Sequence, residues 1–322
     1  VVISVSAIAR GFAQDELTMF LAVGLFGIGG PLISIGAPKM VTHWFTGAGR
    51  GTAMGIYMTG PALASAASLS LTNSLLMPFV GEDWRQVMFF YAAIALTVGM
   101  AWFAIASHPT AAHANPVGGK QMTFNTRAWR HILSDSDVRI ILAMGTGVFF
   151  INHGLNNWLP EILQAKGLSA EKAGFWASVP TMVGIVGSLV IPRFAVPAWR
   201  IRLVMLLFLT VTASTLMLQA DAGGLLMPAL VLLGIARGSL TAVVMLLLME
   251  APGIPRERLG LAGGMFFVAA EFGGVTGPFT VGALSDLTGT FASALVVMTG
   301  VTVILALLAS RMSRQAASAS PK

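Results

Sequence analysis

Nine apolar stretches, each long enough to cross a bilayer, follow one another along the 322-residue chain, and the loops between them hold most of its charge. A helix rises about 1.5 Å per residue and the hydrocarbon core is about 30 Å thick, so about 20 apolar residues span it. The stretches are Leu17–Ala37, Thr52–Val80, Val87–Ala106, Ile140–Leu159, Ala173–Ile191, Leu203–Ala220, Leu225–Met249, Gly260–Leu284 and Phe291–Ala309. In lipid every backbone N–H and C=O needs an internal partner, which leaves helices for segments of this length. The fold class read from them is an all-α membrane protein, a helical bundle embedded in the lipid bilayer. Val1–Ala9 reads as the end of one more span. Because the chain opens in mid-apolar run, with no methionine, basic flank or cleavage site, we read it as truncated at its N-terminus.

The basic residues orient the bundle. Fourteen of the 19 fall in one set of alternate loops: Lys39 and Arg50; Lys120, Arg127, Arg130 and Arg139; Arg193, Arg200 and Arg202; Arg256 and Arg258; Arg311, Arg314 and Lys322. Four, Arg10, Arg85, Lys166 and Lys172, fall in the other set, and Arg237 lies inside a span. Cytoplasmic loops carry the excess of Lys and Arg, so the first set is expected in the cytoplasm of a multi-pass plasma or inner membrane protein.

The longest interruption, Ser107–Val138, separates three complete spans from six. The organisation expected is a partial N-terminal helical half over 1–106, a cytoplasmic linker over 107–138, a six-helix C-terminal half over 139–309 and a cytoplasmic tail over 310–322. An internal repeat supports two halves. LFGIGGPL at Leu25–Leu32 is matched by LLGIARGSL at Leu232–Leu240, and Gly51 and Gly55 are matched by Gly260 and Gly264, at offsets of 207 to 209 residues.

Other chemistries find little support. With no cysteine, disulfides, thiol catalysis and thiolate metal sites are excluded. His108, His113 and His131 sit in the linker without metal-ligand spacing, so no metal site is read there and they read as solvated linker. The chain has no phosphate-cradling loop, no paired carboxylates within a span and no soluble nucleotide domain, so no cofactor is implied and it does not read as an enzyme. The net charge of +6 sits at span ends and not on one soluble face, so nucleic acid is not an expected partner.

At this point the chain resembles the major facilitator superfamily. WFTGAGRGTAMGIYMTGP at Trp44–Pro61 resembles the family's loop between its fourth and fifth helices, and EDWRQVMFF at Glu82–Phe90 the entry to its sixth. NWLPEILQAKGLSAEKAG at Asn157–Gly174 is similar to the junction of helices seven and eight, and GGVTGPFTVGALSDLTGTF at Gly273–Phe291 to helix eleven and its exit. By this resemblance the complete spans are helices four to twelve, with a remnant of helix three. The family's acidic signature has no counterpart in GSLVIPRFAVPAWR, and its antiporter glycines are reduced to Gly60-Pro61. Antiport is therefore not implied. WLPEIL and RGSL…LLMEAPG resemble the cyanate permease-like branch, which would imply a small anion or polar metabolite.

Charges inside spans are expensive and mark candidate sites. Arg237 is the middle residue of Leu225–Met249, where an arginine costs about 2.5–3.5 kcal/mol on insertion scales. Glu271 lies near the middle of Gly260–Leu284, at the same expected depth, so the two can pair, with an anionic substrate or a proton competing for the pair; the alternatives are a permanent structural ion pair, or a Glu271 that is protonated and hydrogen-bonded. Asn152 and Asn156, and His153 and Asn157, are one turn apart and form a polar band in Ile140–Leu159. His153 reads either as a proton relay or as a packing residue. Gly30 and Pro31, with Gly29, are expected to break the first full span near its midplane, lining a cavity or allowing close packing, and Tyr57 is a candidate lining residue.

The function expected is secondary active transport of a small solute, a small anion being the candidate and protons the candidate coupling ion, by alternating access of two rocking halves. A membrane sensor or a nonfunctional transporter fragment is the alternative.

Overall fold

The polar residues between spans start the helices that follow them. Asp15 accepts from the backbone N–H of Thr18 at 2.7 Å while Thr18 accepts from that of Asp15 at 3.2 Å, a reciprocal cap on the first long helix. Asp83, Asp135 and Ser169 cap later helices through their side chains alone, each accepting from backbone N–H groups that have no intrahelical partner. Gly289, at φ 69°, stops another in the left-handed conformation that glycine adopts without strain.

The computed structural model describes residues 1–45, 47–108, 126–196, 199–220, 223–251, 253–255 and 258–319. Among these every regular element is helical: α1 (Val2–Gly11), α2 (Glu16–Trp44), α3 (Gly47–Leu71), α4 (Trp84–Ala106), α5 (Thr126–Ser134), α6 (Ser136–Ala165), α7 (Ala170–Val190), α8 (Arg200–Gln219), α9 (Leu226–Met249), α10 (Leu259–Thr288) and α11 (Ala292–Ala319), with short turns between them. Among the described residues eight helices are long and apolar enough to cross a membrane. The remaining stretch, Leu17–Ala37, lies in α2, where several side chains past Gly30 fall outside the described set, as does the linker's His113.

The chain divides into two compact units, Val1–Met122 and Thr123–Lys322. In the first, α1 packs against α2 and α4. Ser6 donates to the Ala22 carbonyl at 2.7 Å, the Phe12 and Phe89 rings lie 5.0 Å apart, and Arg85 donates to the Ala13 carbonyl at 3.2 Å. The expected break at Gly29–Pro31 is absent, since α2 is helical throughout. A membrane helix absorbs the one hydrogen bond that an internal proline removes, and Gly29 serves packing: a Cβ there would stand 3.1 Å from Val2 and Ile3 of α1. A single π-type turn, Thr72–Leu76, does interrupt the helical run that follows α3. It places the Thr72 hydroxyl 2.7 Å from the Tyr91 hydroxyl of α4. Tyr57 is half-buried on α3.

In the second unit two glycine-lined crossings carry the architecture. Gly273 and Gly277 of α10 press on α6, where a Cβ on either would collide with the carbonyl oxygen of Thr146 or Phe150. Gly234 and Gly238 of α9 press on α7 in the same way, against Pro180 and Gly184. Lipid gives helices no hydrophobic reason to associate, so close backbone approach and hydrogen bonds must supply it. Thr146 accordingly donates to the Ala269 carbonyl at 2.8 Å, and Ser214 of α8 to that of Ala229 at 2.7 Å. Thr212 meets Thr302, and Thr215 meets Thr299, across α8 and α11 at 2.8 and 2.9 Å. At one end of the unit Arg200 donates to Glu250 and to the Ala195 carbonyl, and its hydrogen bond holds the Glu250 carboxyl below the usual carboxylate range.

The region read as linker contains α5, whose own Ile132 is fully buried. That helix, in NTRAWRHILS, was not foreseen.

Candidate functional site

Within the six apolar stretches of the second unit, Ile140–Leu159 to Phe291–Ala309, the ionisable side chains are three: His153, Arg237 and Glu271. The two crossings decide where these point. Because Gly234 and Gly238 fix α9 against α7, its rotation is set, and Arg237 is turned toward α6. There its Nε donates to the Asn152 side-chain oxygen at 3.0 Å and its Nη2 to the Asn152 carbonyl at 3.1 Å.

The expected Arg237–Glu271 pair does not form. No carboxylate among the described residues lies within ion-pair distance of Arg237, and Glu271 makes no hydrogen bond. The physical reason is rotation. Equal depth brings two side chains together only if their faces converge, but α10 packs chiefly on α6 whereas α9 packs chiefly on α7. Glu271 instead lies beside His153. A Cβ built on Gly274 would stand 3.1 Å from a Glu271 carboxylate oxygen and 3.5 Å from His153 Nδ1, so the two groups flank that glycine from α10 and α6. Both reach the protein surface. The His153 ring stacks on Phe149, one turn earlier, with centroids 5.5 Å apart and planes 18° from parallel.

The polar band of α6 divides by face. Asn152 is engaged by Arg237, and Asn156, one turn on, is half-buried and makes no hydrogen bond through its side chain. Asn157 spends its amide on its own helix, donating to the His153 carbonyl at 2.8 Å. Trp158 is held in the α6–α10 contact, its indole donating to the Pro278 carbonyl at 3.0 Å.

Two prolines add acceptors that sequence reasoning passed over. Pro160 and Pro278 lie inside α6 and α10 and have no N–H, so the carbonyls four residues earlier, on Asn156 and Gly274, lose their usual donors. Both carbonyls belong to the same neighbourhood as Asn152 and His153. The signal was readable as proline four residues after a polar or glycine position within a span. The place of Gly274 between Glu271 and His153 had no such signal, since it depends on how α6 and α10 pair.

The guanidinium therefore keeps three of its five N–H groups unused and its charge unpaired. A planar fork held from behind by an amide is suited to a carboxylate or another small oxyanion.

Comparison with known proteins gives a consistent picture. The family model described as Major Facilitator Superfamily matches residues 1–253. The chain is 26% identical over 313 residues, 85% of its length, to the protein named "Probable galactarate/D-glucarate transporter GudP" of Escherichia coli strain K12. It is 24% identical over 340 residues, 94% of its length, to the D-galactonate transporter of Escherichia coli O6:H1. It spans 66% and 76% of those two relatives. Among solved structures, an inward-facing, unoccupied bacterial homologue of the human lysosomal transporter Spinster superposes with a TM-score of 0.73 at 16% identity, covering 97% of this chain and 81% of that one. The last likeness concerns the fold.

Proposed function

The chain belongs to the Major Facilitator Superfamily, and from that membership we infer that it forms the membrane-spanning body of a secondary transporter that carries a small hydroxylated organic anion by alternating access. Membership sets it among transporters and not among enzymes.

The observation that carries the substrate class is the unpaired charge of Arg237. A central arginine costs about 2.5–3.5 kcal/mol to insert, and its two hydrogen bonds to Asn152 leave its charge uncompensated. A bound anion compensates it. The Asn156 amide, together with the freed Asn156 carbonyl, offers a donor and an acceptor to hydroxyl groups of the same solute. Two relatives named for hydroxylated acids, galactarate or D-glucarate and D-galactonate, support this class.

In vesicles holding the full chain as encoded, D-galactonate and D-glucarate should be taken up and should compete with each other, whereas galactitol, with the hydroxyls but no carboxylate, should not compete. Equal competition by galactitol would remove the anion from the account.

We also place the Ser107–Val138 linker and the C-terminal tail in the cytoplasm, on the strength of 14 basic residues against 4 in the two loop sets. Reporter fusions at either segment should respond as cytoplasmic; a response from the outside would invert the topology.

A further inference from the structure

We propose that Arg202 of α8 and Arg311 of α11, level with one another at the end of an apolar outer face, hold the headgroup of an anionic phospholipid.

The register of the two helices brings these residues together. Thr212 meets Thr302 and Thr215 meets Thr299, so α8 and α11 run antiparallel. Carrying that pairing from 212 back to 202 and from 302 on to 312 sets Arg202 level with Met312, next to Arg311. The same register sets Leu206 near the level of Leu307, and Leu209 near that of Ile304. All four of these side chains are exposed, as are both arginines. On each helix they follow the arginine at helical spacing, so each arginine ends an outward-facing stripe. The buried faces of α8 and α11 are taken by packing inside the unit, and the outer stripes are left to the surrounding bilayer. Trp199, 57% exposed, stands at the arginine end, with the Arg202 guanidinium 5.1 Å from its ring centre.

Charge decides which lipid this face takes. Neither α8 nor α11 contains an acidic residue, and the sequence has none between Glu171 and Asp221 or after Asp286. Arg200, two residues before Arg202, is buried and turned inward to Glu250 and the Ala195 carbonyl, so it serves packing. Arg202 and Arg311 make no ion pair among the described residues. Two such forks suit a phosphate: each donates to its oxygens, while the aliphatic stems rest on the apolar stripe. The Trp199 ring belongs at headgroup depth, and the leucines and Ile304 below it meet the acyl chains. A choline headgroup would carry its own cation into this basic corner, where the arginines repel it. An anionic headgroup brings no such cation and gains from both charges.

Because the chain has no cysteine, Leu206→Cys supplies a single thiol for a fluorophore on the proposed lipid face. The labelled full chain as encoded is placed in phosphatidylcholine vesicles. Its emission is quenched in turn by phosphatidylglycerol and by phosphatidylcholine, each carrying a nitroxide high on one acyl chain, at equal mole fraction. Both leaflets hold the same lipids, so the readout does not depend on topology or on transport. Phosphatidylglycerol should be held at least about five-fold more strongly than phosphatidylcholine. Arg202→Gln with Arg311→Gln should bring that ratio close to one; both side chains are exposed, so the packing stays intact. Arg130→Gln with Arg139→Gln removes the same charge from exposed positions on α5 and α6 and should leave the ratio within about two-fold. A ratio near one in the labelled protein with both arginines present would overturn the proposal, and an equal fall in the two double variants would reduce the effect to net charge and overturn it too. Inorganic phosphate that displaced phosphatidylglycerol better than chloride at the same ionic strength would give the site to a soluble anion instead. Oxidative cross-linking of unlabelled Leu206→Cys into a dimer in the membrane would give the face to a second copy of the chain, and either result would overturn the lipid assignment.

Discussion

Arg237→Lys is expected to cut D-galactonate uptake by about 10- to 150-fold while leaving the protein in the membrane at near wild-type abundance. The figure follows from losing a charge-assisted, two-pronged grip, worth about 1.5–3 kcal/mol. Lysine keeps the charge but presents a point, where the fork can hold Asn152 with one edge and a carboxylate with the other. Arg237→Ala should transport no better. Its abundance should also hold, because no carboxylate is stranded when the guanidinium goes. This separates the site from a structural ion pair, in which removing one partner costs about 3–5 kcal/mol and removing both restores stability. Here the double change Arg237→Ala with Glu271→Ala should be no more stable than Arg237→Ala alone. Recovery of stability in the double variant, measured by thermal unfolding in detergent, would return Arg237 to an architectural role.

The second large effect concerns the crossing that positions His153 and Glu271. Gly273→Ala puts a methyl group into the backbone of α6 at Thr146, where no flexible side chain can give way. Overpacking of this kind costs about 1–3 kcal/mol, and an obstacle made of backbone belongs at the upper end. A clear drop in thermal midpoint and in membrane abundance should follow. Gly264→Ala on the same helix is the control, since a Cβ there meets nothing within 4 Å. It should be neutral or stabilising by up to about 1 kcal/mol, from helix propensity. Equal behaviour of the two variants would mean that the α6–α10 crossing is not as close as described.

Eight of the nine spans, the helical class and the family were legible because each rests on one-dimensional pattern: apolar length and ordered motifs. The place of Arg237 and Glu271 near the middle of their helices was legible for the same reason, since it is a count of residues from the helix end. Their partners were not. Which way a side chain points depends on helix rotation, and rotation here is set by glycines whose opposing residues, Thr146, Phe150, Pro180 and Gly184, cannot be identified until the helices are paired. So Arg237 was matched to Glu271 by depth, whereas it reaches Asn152, and Glu271 reaches the side of His153. The break expected at Gly29–Pro31 failed on a related point: glycine beside proline in a span signals either a kink or a close contact, and only the position of α1 against Gly29 distinguishes them. The short helix α5 was hidden by the proline- and glycine-containing stretch before it, which carried the whole segment into the linker.

The central claim is that the free edge of the Arg237 guanidinium binds the transported anion. Equilibrium binding of D-galactonate to the purified full chain, by titration calorimetry at constant pH, tests it most directly. Wild type should bind and Arg237→Lys should bind at least about ten-fold more weakly, with Gly264→Ala unchanged as the folding control; equal affinity in wild type and Arg237→Lys would contradict it.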